Sequence, residues 1–514
     1  MRNSAMCRTG GAEPGAITVT LLTEGTYPHS HGGVSVWCDQ LVQGMPDVDF
    51  RIVAVTGTGQ EPVAWELPPH VHEVTAMPLW GPPPAGRAPR GRRRRAFLEG
   101  YERFLLALLD PAHEAEFGPR LYGLAAAAQA GTLGAALRSE AAVRVLTAVW
   151  RRPGRETAAA RPTAYDALTA TDLLEHALRP LAAPAPRDGV THAVSGGLAA
   201  LPGLVARHLH GTPFLLTEHG VYLRERYLGY RTGPYAWPVK ALVLGFFRML
   251  ARESYLRAAL VTPGNRYNRR WEEHGGAAPA RIRTVYNGVD PGAFPPAGPE
   301  PDTPTLSWAG RVDPIKDLET LIRAFALVHA ELPAARLRLF GGTPRGGEAY
   351  RERCQALAAE LGIAASVTFE GRVDDIRDAY AAGNVVMLSS ISEGFPFTLI
   401  EAMSCGRATV STDVGGVREA VGDTGLVVPP REPEQMARAA LDLLNDPRRR
   451  ARMGEGARLR VVERFTLRRT IDTFRSVYHE LAGSQGRLAG REPLSGWAGP
   501  SPAALRPVAA AGAR

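Results

Sequence analysis

Two glutamates eight positions apart raise the first question of chemistry. In "SEGFPFTLIEAMSCG", residues 392–406, Glu393 stands in a Gly-Phe-Pro loop and Glu401 follows an apolar run. Pro396 disfavours one unbroken helix through both, because proline lacks an N–H and restricts the residue before it. The spacing predicts a loop carrying Glu393 and a helix, starting near Pro396, carrying Glu401 on its buried side. Two hydrogen-bond acceptors would then point into one cleft. A second stretch, "AGRVDPIKD", places Arg311 at a strand exit and Lys316 near the start of the next helix, whose N-terminal end also favours an anion. Two cations beside free N–H groups suit a diphosphate. Lys316 stands out because Lys240 is the only other lysine, and a compact charge on a flexible stem differs from a guanidinium fork.

Several other chemistries lack their residues. There is no GxxxxGK[ST] loop for an ordinary phosphate-hydrolysing NTPase and no GxGxxG for a nicotinamide or flavin site. Ser35 and Ser195 lie beside glycines without a GxSxG frame. His29 and His31 have neither HExxH nor an acidic cluster around them, so no protein-bound metal is expected. The four cysteines form no CxxC pair, which fits buried thiols in a reducing compartment.

The elements that must position these residues read as strand, glycine turn, helix, repeated. "AITVTLLTEG" is a first strand, Gly32-Gly33 opens a helix with Val34, Trp37, Leu41 and Val42 at helical spacing, and "DFRIVAVTG" is a second strand. From about 58 to 188 the rhythm is lost, and a mostly helical insertion is expected. Alternation resumes with a strand ending at His192, a helix to about 208, and a strand before Glu218-His219. "RAALVTPGN" and "RIRTVYNGVD" each read as strand then loop. After a Pro/Gly-rich linker a second unit follows, with glycine loops at Gly310, Gly341-Gly342, Gly394 and Gly415-Gly416, and a last amphipathic helix at 466–481. Two Rossmann-like parallel α/β domains facing a cleft are the economical reading, since ligands bind beyond the strand C-termini. The expected limits are a disordered lead at 1–16, a first domain at 17–297, a second at 303–465, a boundary-crossing helix at 466–482 and a disordered tail at 483–514.

On these motifs the chain resembles a known family. "VYNGVD", "GRVDPIKDLETLI" and "SEGFPFTLIEAM" are similar to those of family 4 retaining glycosyltransferases with the GT-B fold. "TEGTYPHSHGGVSVW", "HAVSGG" and "LLTEHGVYLRER" resemble, more narrowly, the branch of the cytoplasmic Pel exopolysaccharide transferase. The resemblance implies that Arg311 and Lys316 bind the donor diphosphate, Glu393 the donor sugar and Glu401 the ribose hydroxyls. It implies that Gly394, Phe395, Pro396 and Phe397 lie near sugar and phosphate, His219 beside the donor sugar, and Gly33 near the diphosphate. Gly342, Arg372 and Val373 fall where the base would be read. The implied reaction moves a hexose, with glucose and UDP the favoured donor, to a saccharide or exopolysaccharide acceptor with retention, without metal or other cofactor. Retention is assigned to front-face attack, with the leaving phosphate taking the acceptor's proton. A non-catalytic nucleotide-sugar or polysaccharide-binding partner of a membrane synthase, and a GT-B sugar-nucleotide epimerase, are the alternatives.

Bulk properties set the location expected. A chain of 514 residues calls for more than one core. The net charge of +8 comes almost wholly from arginine, which reads as compositional preference rather than a nucleic-acid surface. One cluster, "RAPRGRRRRAF" at 87–97, is either a solvated loop and helix start or a contact with an anionic surface. With few aromatics beside it, base stacking is poorly supported. The apolar run at 239–250 is too short to cross a bilayer, and the first residues lack the hydrophobic core of a signal peptide. A cytoplasmic protein is expected, with peripheral docking at the inner membrane face, through 87–95 or 239–250, beside an inner-membrane polysaccharide synthase.

Overall fold

The structure, a computed structural model, describes residues 17–82, 84, 86–152 and 162–484. The expected lead at 1–16 and the tail beyond 484 lie outside the described residues.

The first sheet holds β1 (Ile17–Glu24), β2 (Val48–Thr56), β3 (Val71–Pro78), β4 (Val190–Ala193), β5 (Phe214–Glu218) and β6 (Leu260–Pro263). Its order is β3-β2-β1-β4-β5-β6, all parallel. The second holds β7 (Thr305–Ala309), β8 (Arg336–Phe340), β9 (Val367–Gly371), β10 (Val385–Leu388), β11 (Ala408–Thr412) and β12 (Leu426–Val428), ordered β12-β11-β10-β7-β8-β9 and also parallel. Central strands such as β4, β5, β7 and β10 are buried at every residue. Burial at every position is what a parallel sheet covered on both faces shows. Each sheet reverses its strand order once, between β1 and β4 and between β7 and β10. Such a switch point opens a crevice at the strand C-termini. The protein is therefore two Rossmann-like sheets facing a cleft, with the helical insertion in the first: the GT-B architecture.

The insertion occupies the crossover from β3 to β4. Its helices, from Gly91–Leu109 to Ala164–Leu178, share a core with helix Trp237–Arg257 and the first sheet. Three sequence expectations need correction here. The stretch 58–188 contains β3, an edge strand whose half-exposed pattern dilutes its alternation. "RIRTVYNGVD" forms no strand: it makes only two isolated bridges, Ile282 to Val261 and Val289 to Thr466. The apolar run 239–250 is no surface patch, since Val239, Leu242, Phe246 and Leu250 are core; a helix apolar on several sides is an interior helix.

The last helix, Leu467–Ala482, returns to the first sheet. Phe474, Val477, Tyr478 and Leu481 complete the cluster formed by Val19, Trp37, Leu41 and Phe50. Thr466, just before it, bridges Val289.

Candidate active site

The second sheet positions the charged groups at its switch point. Arg311 leaves β7 with an exposed side chain and makes no ion pair or hydrogen bond among the described residues. Lys316 closes the short turn Pro314–Lys316, which Asp313 caps by accepting from Ile315 N–H at 3.0 Å. Across the crevice, the exit from β10 carries Ser389, Ser390 and Glu393. Lys316 Nζ donates to Glu393 Oε1 at 2.5 Å and Ser390 Oγ donates to the same oxygen at 2.6 Å. Ser389 Oγ donates to the Lys316 carbonyl at 2.7 Å, and Ile391 N–H to the Ile315 carbonyl at 2.8 Å. The two loops are thus braced together, and a charge-assisted bond between partly buried partners holds the carboxylate.

Glu401 lies on helix Phe397–Ser404, which follows Pro396 as the spacing predicts. Leu399 and Ile400 are buried and anchor it. Glu401 Oε2 accepts from Tyr380 O–H at 2.5 Å. Burial pushes its carboxyl up to about 7, with the Tyr380 bond pulling the other way. Val373, after β9, packs in the cluster that contains Tyr380, so it lies toward Glu401's side of the site. Arg372 is exposed, and so is Gly342, whose carbonyl accepts from Val312 N–H at 3.0 Å. Gly341 adopts φ +138° with Gly310's carbonyl where a Cβ would sit, so no other residue fits that turn.

The first sheet meets these loops from the opposite side. Gly33, at the start of helix Gly33–Gln43, faces the Phe397 ring, 3.9 Å from where its Cβ would be. A Cβ on Gly394 would lie 1.8 Å from the His219 carbonyl, so glycine alone permits this approach of the two halves. Asn287 Nδ2 donates to the Phe395 carbonyl at 2.8 Å. Glu419 ties the halves again, accepting from Arg266 and Tyr267 N–H at 2.9 and 3.0 Å and from Tyr286 O–H at 2.9 Å. The His219 ring stands edge-on to Trp37, centroids 4.7 Å apart, and Trp37 rests against Phe474 of the returning helix at 5.2 Å. Burial pushes His219 down to about 4, so it is neutral near pH 7, and its Nε2 has no hydrogen-bond partner among the described residues. His192 lies deeper, bonded to Tyr478 O–H at 2.8 Å and Thr217 Oγ1 at 2.7 Å, with both ring nitrogens engaged.

Beneath His219 is a second pair of carboxyls. Glu218 Oε2 accepts from Tyr255 O–H at 2.6 Å, while its Oε1 and both oxygens of Glu272 are buried with no hydrogen-bond partner among the described residues. Burial pushes both carboxyls up, and Glu218 raises Glu272 further.

The structure brings together Gly33, His219, Lys316, Glu393, Gly394, Phe395, Pro396 and Phe397. Arg311 is exposed on the loop between β7 and Lys316, while Glu401 and Val373 form a second group around Tyr380. Sequence reasoning missed Ser389, Ser390, Tyr380 and Trp37. The hydroxyl pair at a strand end, directly before the glutamate loop, was the one local signal for the first two. No group of three or more His, Cys, Asp or Glu side chains suited to a metal occurs among the described residues.

Comparison with known proteins follows the same division. Residues 17–280, just over half of the chain, match the family described as a domain of unknown function, DUF3492. The chain belongs to the DUF3492 family. Residues 303–446 of this DUF3492 member match the glycosyl transferases group 1. It is 31% identical over 301 residues to the D-inositol 3-phosphate glycosyltransferase of Saccharomonospora viridis, covering 55% of this chain and 68% of the relative. It spans only 47–64% of the length of four further curated D-inositol 3-phosphate glycosyltransferases. The sucrose-phosphate synthase of Thermosynechococcus elongatus has a similar fold, with TM-score 0.61 at 20% identity over 91% of this chain and all of that one. Anabaena HepE, solved with UDP-glucose, gives TM-score 0.56 at 14% identity over 90% of this chain and all of that one. This DUF3492 protein is thus a GT-B-fold relative of family 4 glycosyltransferases.

Proposed function

We propose that the protein transfers a hexose from a nucleoside diphosphate sugar to a saccharide acceptor with retention. The observation that carries this reading is the switch-point constellation: Glu393 fixed by Lys316 and Ser390, with the exposed cation Arg311 on the loop that carries Lys316. As the bond between C1 and the leaving phosphate oxygen breaks, charge grows on the diphosphate, and Arg311 and Lys316 are placed to stabilise it. The acceptor hydroxyl attacks C1 from the same face, and its proton passes to the leaving phosphate oxygen. Glu393, already paired, serves as a positioning and electrostatic group, and neutral His219 offers its imidazole to a sugar hydroxyl. Glu401 with Tyr380 takes the ribose, and Arg372, Val373 and Gly342 border the base.

UDP-glucose is the proposed donor, a choice the HepE complex and the Pel-type motifs support, with an exopolysaccharide chain as acceptor. We assign residues 17–297 to the acceptor and 303–465 to the donor, and place the protein in the cytoplasm beside an inner-membrane polysaccharide synthase. Incubation with radiolabelled donors and extracted glycans tests the reaction. Label in glycan supports it; donor binding without turnover, or interconversion of two nucleotide sugars without acceptor, overturns it.

Two binding experiments bear on the donor. Thermal-shift scans with UDP, GDP and ADP are expected to show the largest rise with UDP, because a ligand of the folded form raises its apparent stability. A rise with GDP alone would reassign the base. Arg311→Ala is expected to weaken UDP binding by about ten- to a hundred-fold by calorimetry, since a charge-assisted contact contributes roughly 1.5–3 kcal/mol. Unchanged affinity would remove Arg311 from the phosphate site.

A further inference from the structure

The cleft leaves one strongly charged surface unused. Arg87 and Arg90 lie between β3 and helix Gly91–Leu109, Arg92, Arg93, Arg94 and Arg95 open that helix, and all six are exposed. Among the described residues only Arg95 meets an acid, Glu99 at 2.9 Å, in a pair open to solvent that contributes little. Some arginines elsewhere are matched to carboxylates, as Arg179 is to Glu175 and Arg248 to Glu114. What sets this cluster apart is the crowding of exposed, mostly unmatched arginines at one helix end.

Its geometry is specific. The helix has no acidic residue in its first turn and no side-chain cap, so four consecutive arginines crowd the end where the peptide dipoles already place positive charge. Helix stability alone would favour the opposite sign. At about 100° per residue, Arg92–Arg95 cover roughly 300° of the circumference, and side chains lean toward the N-terminus. They form a crown around the helix end rather than a stripe along one face. A polymer lying in a groove is read by a stripe; a crown matches a flat sheet of negative charge met end-on. At the start of the same segment, Trp80 is 49% exposed, with its ring against His176 at 4.5 Å. An aromatic ring with one face in water is a side chain enriched at lipid headgroups.

We infer that this crown docks the protein on an anionic phospholipid bilayer, with helix Gly91–Leu109 approaching end-on. The surface lies outside the cleft residues, so it stands whether or not the transfer reading holds. Flotation with vesicles of phosphatidylcholine alone, and of phosphatidylcholine mixed with phosphatidylglycerol, is the test. Binding is expected only to the mixed vesicles and should weaken as salt rises. A variant carrying Arg92→Ser, Arg93→Ser, Arg94→Ser and Arg95→Ser should lose on the order of several hundred-fold in vesicle affinity, each arginine near a charged surface contributing roughly five-fold. The matching four Arg→Lys changes keep the charge and should keep binding. Undiminished binding by the serine variant overturns the inference, as does loss in the lysine variant. Retention on heparin or duplex DNA without binding to anionic vesicles also overturns it, in favour of a polyanion.

Discussion

Lys316→Ala is expected to lower kcat by about a hundred- to a thousand-fold while leaving the fold intact, the scale at which losing one preorganised electrostatic contact acts. The lysine does two things at once. On the proposed reading it faces the leaving diphosphate, and it neutralises Glu393, whose side chain is only 10% exposed. Removing it leaves that carboxylate with the Ser390 hydroxyl as its only hydrogen-bond partner among the described residues. Glu393→Gln should cost a similar factor, since the neutral amide no longer attracts the ammonium. The double variant should be far less damaged than the product of the two singles, because one interaction is being removed twice. Steady-state kinetics at saturating donor checks this. Full additivity, or near-normal kcat in either single variant, would separate the pair from the reaction.

Glu272→Gln is expected to stabilise the protein at pH 8 and to change little at pH 5. Glu272 is fully buried, and burial together with Glu218 raises its carboxyl pKa far above the unfolded value of 4.5. Such a group favours the folded state fully below pH 4.5, where both states carry the proton. Its contribution is lost as pH rises toward the folded pKa, because the unfolded chain releases the proton first. The slope is about 1.4 kcal/mol per pH unit for one proton. Glutamine removes the proton and the slope with it. Melting temperatures across pH 5–8 should fall less steeply in the variant; a parallel fall would mean that Glu272 is ionised in the native protein.

What the sequence makes legible is what is encoded locally. Arg311, Lys316 and Glu393 follow a buried strand within one loop, so hydrophobic runs and turn glycines mark them. The Glu401 helix starts where Pro396 says it must. The setting of His219 has no such local record, because Trp37, His192 and the pair Phe474 and Tyr478 come from three separate elements and meet only after the chain has closed. β3 escapes because an edge strand is half wet, and 239–250 misleads because a short apolar run does not say whether it faces solvent or a neighbouring helix. Glu272 looks from sequence like any surface glutamate on the polar helix Arg266–His274; only the fold shows it buried against Glu218.

The return of helix Leu467–Ala482 to the first sheet carries a consequence for how the protein is made. On the ribosome, β1 through β6 emerge long before the helix that covers Val19, Trp37 and Phe50. At about 5–20 residues per second, the roughly 200 residues between them impose a delay on the order of 10–40 s. Through that interval the nascent first half presents an open apolar face, the kind of surface chaperones hold and aggregates share. A chain ending prematurely in the second unit never closes that face, so quality control can recognise it as unfinished even with both sheets formed.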